Sequence, residues 1–138
     1  MRRAVIALLL LACSRDADER KIHNEVDILV EREGQLAEDA ANRLAKNFGV
    51  RAIPTLETAL HTANPVGRLN IIMALRRIGH ADAIPLLRHY AIHDDEEGVR
   101  KEAEVTLRQW AAGTDDRAAK ARAALRGIEE AQSQEKKG

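Results

Sequence analysis

The tripeptide Ala-Ile-Pro occurs at 52–54 and again, 31 residues later, at 83–85. Around it recurs a longer pattern: an apolar stripe at helical spacing, a glycine, and the start of another stripe. Ile53, Leu56 and Leu60 follow the first copy, and Ile84, Leu87 and Ala91 follow the second. In the second half of each unit, Gly67, Ile71, Leu75 and Ile78 are matched by Val99, Ala103, Leu107 and Trp110, each 32 residues on. Residues three and four apart share one helix face, so each half-unit reads as one amphipathic helix and each unit as a helix pair. A pair of this kind cannot cover its own apolar face; units must stack, and about three are needed for stability.

The punctuation agrees with this reading. Pro54 and Pro85 fall in the first turn of a helix, where the missing donor has no intrahelical partner. Gly49, Gly79 and Gly113 close units, Asn64-Pro65 marks a turn, and a helix is expected from about Val66 to Ile78 with Leu69, Ile72, Leu75 and Ile78 or their neighbours inside. Asp94 to Gly98 forms the matching turn of the next unit. Upstream, Ile22, Val26, Leu29, Leu36, Ala40, Leu44 and Phe48 make a stripe that Glu33 and Gly34 interrupt; two helices fit the paired pattern better than one bent helix. Downstream, Thr114 is placed to cap a last helix with Asp115 and Asp116 in its first turn and Ala118, Ala121, Leu125 and Ile128 on its apolar face. Residues 132–138 are polar and expected to be disordered.

A chain of 138 residues holds one small domain. Its apolar content is almost all Ala, Leu, Ile and Val, with two Met and one each of Trp, Tyr and Phe, a mixture that favours helix. The formal charge is zero and aromatics are 2%, so neither a basic nucleic-acid footprint nor a base-stacking platform is present.

The first residues carry an address. Arg2 and Arg3 precede an unbroken apolar run from Ala4 to Ala12, and the charged stretch Arg15 to Lys21 follows, the layout of an export signal. Nine apolar residues cover only about 14 Å as a helix, too little for a transmembrane span. The only cysteine, Cys13, has no partner for an internal disulfide. Leu10-Leu11-Ala12-Cys13 resembles the lipobox of bacterial lipoproteins. That resemblance implies a signal peptide at 1–12, cleavage before Cys13, lipidation of Cys13, and a lipid-anchored protein of the bacterial cell envelope. Ser14 after the cysteine points to the outer membrane, facing the periplasm. The other readings are an ordinary secretory signal or a partly buried free thiol. Residues 13–17 would be a tether and 18–131 the folded domain, whose mature chain, without Arg2 and Arg3, has a net charge of −2.

The helix-pair units resemble HEAT-like repeats over roughly Gln35 to Leu125, best from Asp82 to Gly113. The resemblance implies an all-α fold, a short right-handed α-α superhelix of about three helix pairs, whose second helices line the inner surface. In that family a turn aspartate and an arginine six residues later bond along the stack. Asp94 and Arg100 have this spacing, whereas the earlier unit offers Thr62 and Arg68, which leaves the continuity of such a ladder open. Gly67 stands where the pattern has Val.

On the inner helices Lys46, Arg76 and Arg108 occupy equivalent positions, as do Arg68 and Arg100. A row of cations could receive an acidic strand, helix or lipid headgroup; the competing reading is a solvated face with salt bridges to Glu102, Glu104 and the turn acids. His89 and His93 are four apart, a spacing that can seat a metal, but surface histidines share it by chance and no metal or other cofactor is expected. Trp110, aligned with Ile78 and Phe48, is expected in the core. No phosphate loop, nucleophile motif or acid pair is visible. The expectation is therefore a non-catalytic, membrane-anchored scaffold that binds a protein or peptide partner in the envelope and no nucleic acid. The alternative is a ligand-handling or lyase-like HEAT-repeat protein, which requires a closed pocket.

Overall fold

The computed structural model describes the backbone of residues 2–138 and the side chains of residues 11–138. Seven α-helices, and no strand among the described residues, follow in order: α1 (Arg2–Glu31), α2 (Gln35–Asn47), α3 (Ile53–Leu60), α4 (Pro65–Ile78), α5 (Ile84–His93), α6 (Glu97–Ala111) and α7 (Asp116–Glu135). Short 3-10 turns at Gly49–Ala52 and Ala81–Ala83 lead into α3 and α5. The pairs α1/α2, α3/α4 and α5/α6 form three units, with α2, α4 and α6 packed in succession as one layer and α7 laid across both α5 and α6. This is the all-α, HEAT-like solenoid that the repeats demand.

Local chemistry sets the boundaries. The chain turns out of α1 through Gly34 at φ +61°, and α4 ends at Gly79, φ +66°, whose N–H donates to the Leu75 carbonyl; L side chains resist both conformations. At the start of α4 the Asn64 side chain accepts from the Gly67 N–H at 2.8 Å, and Pro65 occupies the first turn. Asp115, rather than the expected Thr114, caps α7, accepting from the Ala118 N–H at 2.9 Å. A carboxylate is the stronger acceptor there and adds its charge to the helix dipole.

The core runs the length of the stack. Ile22, Val26 and Leu29 from α1, Leu44 from α2, Leu56 and Leu60 from α3, Ile71, Ile72 and Leu75 from α4, Leu87 from α5, Val99 and Leu107 from α6 and Ile128 from α7 are all buried. Each such aliphatic side chain stabilises the fold by about 1.5–3 kcal/mol relative to exposure. Trp110 is 5% exposed and has the Arg117 guanidinium over its ring at 5.2 Å, so its place in the core stands. Leu69 and Ile78 pack only partly, their neighbours taking the core. Leu36 is 57% exposed, contrary to the stripe: steps of four drift about 40° round a helix of 3.6 residues per turn, so Leu36 falls at the rim of the face that Ala37, Ala40, Ala41 and Leu44 bury.

Two stretches expected to be irregular are helical. Residues 13–17 continue α1 instead of forming a loose tether, and α7 extends to Glu135 through most of the expected tail. The side chains of residues 1–10, most of the expected signal peptide, lie outside the described residues. No described helix is long and apolar enough to cross a membrane.

Candidate functional site

The five expected partner-binding cations separate into two groups with different work. Arg68, in the first turn of α4, lies inside the stack with its side chain 13% exposed. Its Nε and Nη2 donate to the two Asp94 oxygens at 2.8 and 3.0 Å, Nη2 also donates to Asp95 at 2.8 Å, and Nη1 donates to the Ala63 carbonyl at 2.9 Å. This bidentate pair ties the second unit to the turn of the third. Burial by itself would raise the Asp94 carboxyl; hydrogen bonds from Arg68 and from the Glu96 N–H outweigh it and hold the group below the usual aspartate range. The hydrogen bond to Asp94 likewise raises the Arg68 guanidinium above its ordinary value. Arg100 works on its own turn: Nη1 donates to the Asp94 and Asp95 carbonyls at 2.6 and 3.0 Å. Arg68 therefore joins two units, whereas Arg100 fastens the turn of its own unit. The inter-unit rung runs from Arg68 to Asp94, not from Arg100, because an arginine one unit back faces the next unit's turn.

Arg76, Arg108 and Lys46 sit near the opposite ends of their helices. Arg76 pairs with Glu102 of α6, and Arg108 donates from Nε to Glu104 of its own helix at 3.0 Å, so two of the three expected row members are engaged by the acids of the competing reading. Lys46 is exposed in the last turn of α2 and has no acidic partner among the described residues. A single row of free cations does not form.

What does form is a groove along α4. Leu69, Asn70, Met73, Arg76, Arg77 and Glu102 line an open depression of about 440 Å³. Leu69 and Met73 make an apolar floor resting on the core. Arg76 brings a guanidinium whose Nε is buried without an acceptor, although its outer nitrogen is held by Glu102. Arg77, which repeat alignment does not single out, donates from Nη1 to the Glu38 carbonyl at 2.9 Å and to Asn42 Oδ1 at 2.6 Å, fastening α4 to α2 at the groove's side. Asn70 was equally invisible to pattern: its Nδ2 donates to the Leu29 and Arg32 carbonyls at 3.0 and 3.1 Å, satisfying the free end of α1. Gly67 did carry a signal, as a departure from the repeat. A Cβ there would meet Ala63 Cβ at 3.1 Å and Val30 Cγ1 at 3.2 Å, so glycine lets α4 lie close against α1.

His89 and His93 stack at 4.9 Å on the exposed side of α5, and no group of three His, Cys, Asp or Glu side chains able to hold a metal forms among the described residues. Cys13 is a free, exposed thiol on α1.

No curated protein and no solved structure matches the chain. A family model does: that of HEAT repeats, over residues 26–108, from the last turns of α1 to near the end of α6. With that match covering more than half of the chain and three stacked helix pairs beneath it, the protein belongs to the HEAT-repeat family.

Proposed function

We propose that the protein is a non-catalytic scaffold of the bacterial cell envelope, anchored in the outer membrane on its periplasmic side by lipid on Cys13, and that it binds a protein or peptide partner in the groove along α4. HEAT repeats commonly mediate protein–protein interaction, which supports the class of partner. The groove is the observation that carries the reading: apolar side chains at its floor, guanidinium groups at its wall, and an opening to solvent. The partner would present an apolar anchor beside a carboxylate, the anchor on Leu69 and Met73 and the carboxylate toward Arg76. The address is supported by the basic start, the apolar run and the Leu10-Leu11-Ala12-Cys13 segment, with Cys13 exposed and accessible to modification.

Two measurements test the two halves. Intact mass of the mature protein from membrane fractions should show a chain beginning at an acylated Cys13; a mature chain with a free thiol removes the anchor. Capture from envelope fractions with wild type and with Arg76→Glu/Met73→Asp should lose one partner at least about tenfold, the loss expected when about 1.4 kcal/mol or more of contact energy is removed. Equal capture by a folded double variant removes the groove.

A further inference from the structure

We propose that the anchored protein lies with one particular edge, formed by the end of α2 and the Gly49–Ala52 turn, against an anionic bilayer surface. The inference rests on lipidation of Cys13 and adds an orientation to it.

The tether is too short to allow free tumbling. Packing on α1 begins at Ala17 and Asp18, both half-buried, and Asp18 accepts from Arg51 Nη1 at 3.2 Å. Between Cys13 and Ala17 a fully stretched chain reaches at most about 14 Å, and the helix present there covers about 6 Å. Acyl chains on Cys13 hold that residue at the boundary of the hydrocarbon, and the headgroup layer above it is itself some 5–8 Å deep. With residues 13–17 helical, Ala17 and Arg51 are therefore held within the headgroup layer, and a fully stretched turn would lift them only about 6–9 Å above it. From Asp18, α1 runs to Glu31, about 20 Å along its axis, so the turn between α1 and α2 points away.

The two edges differ in chemistry in the sense this orientation requires. The near edge presents Lys46, exposed at the end of α2, Val50, 41% exposed on the turn, and Arg51, with Arg20 and Lys21 exposed on the adjoining turn of α1. Exposed apolar and cationic groups side by side suit a surface of anionic headgroups over acyl chains. Arg51 and Asp18 meet each other's charge, and Asp16 and Glu19 stand nearby, so the positive excess of this edge rests on Lys46, Arg20, Lys21 and Arg15, four cations against two acids. The far edge carries Glu31, Arg32 and Glu33 at the first turn and Asp95, Glu96 and Glu97 at the third, where Arg68 meets Asp95 and Lys101 meets Glu97; the acidic excess that remains is repelled by an anionic surface. The contact made by Asn70 with the end of α1 and that of Arg68 with Asp94 place those two turns on the same side of the stack.

The test uses the lipidated mature protein in vesicles. With the Cys13 thiol acylated, Val50→Cys or Glu33→Cys supplies the sole free thiol for a fluorescent probe, and both replace exposed side chains. Quenching by headgroup spin-labelled lipid should be at least about threefold greater at position 50 than at position 33 in phosphatidylglycerol/phosphatidylethanolamine vesicles, given the ~20 Å between the edges. A ratio near one there overturns the orientation; a ratio as high in zwitterionic phosphatidylcholine vesicles overturns the role given to the anionic surface and leaves the tether alone to set the orientation. If membrane-derived protein carries a free Cys13 thiol, the anchor itself fails and the orientation falls with it; an acylated Cys13 with a ratio near one removes the orientation alone.

Discussion

At the scale of single residues, the Arg68–Asp94 pair contributes through what it prevents. Both charged groups are largely out of water, and each satisfies donors or acceptors that would otherwise be stranded. Asp94→Ala should cost about 2–4 kcal/mol in urea unfolding, because it leaves the Arg68 guanidinium without its main acceptor and frees the Glu96 N–H. The pH dependence has a fixed sign. A carboxyl whose folded pKa lies below its unfolded value contributes stability that is fully present above the unfolded value, near 3.8, and that is lost as pH falls through the folded one. Wild type should therefore lose this contribution below about pH 4, and Asp94→Asn should flatten that part of the stability profile measured by denaturant midpoints. Gly67 offers a second check. Restoring the repeat's own residue with Gly67→Val should destabilise by about 1–3 kcal/mol, despite valine's better helix propensity, since Val30 and Ala63 already fill the space. Isoleucine, leucine and glycine positions of this kind could be read from the sequence; the use of Asn70 and Arg77 could not, since each bonds to backbone or side chains 35 or more residues away and no local pattern encodes that.

Among the elements, the helices whose boundaries were legible are those with chemical punctuation. Gly34 separates α1 from α2, Asn64 with Pro65 starts α4, and Gly79 ends it. Where punctuation is absent, expectation failed: nothing in Ser14 to Ala17 stops a helix, so α1 runs through, and nothing before Glu135 stops α7. Leu36 is exposed for a different reason: a stripe in steps of four drifts round the helix, and Leu36 lies at its rim in the first turn of α2. A free row of Lys46, Arg76 and Arg108 does not form because alignment by repeat position does not show each side chain's partners: Arg76 reaches Glu102 and Arg108 reaches Glu104, leaving Lys46 without an acid among the described residues. The middle unit holds the most buried helix of the layer, and Leu75→Ala in α4 should cost about 2–5 kcal/mol in thermal or urea unfolding, more than Leu36→Ala in the exposed first turn of α2, which should change stability by less than about 0.5 kcal/mol.

For the whole molecule, three helix pairs and a covering α7 are few for a solenoid, so no unit stands far from an end and none is expected to melt alone; unfolding followed by circular dichroism and by Trp110 fluorescence should coincide. The layer of α2, α4 and α6 opens to solvent at the groove along α4, while α7 closes the end of the stack against α5 and α6. An open, apolar-floored groove with guanidinium walls is what a scaffold offers to a partner. The most direct measurement is site-specific photocrosslinking in intact cells, with the crosslinking residue at position 73 on the groove floor or at position 89 on the exposed side of α5. The account predicts one discrete adduct from position 73, none from position 89, and loss of the adduct on Arg76→Glu. Adducts of equal pattern from both positions, or none from position 73 in a folded protein, would contradict it.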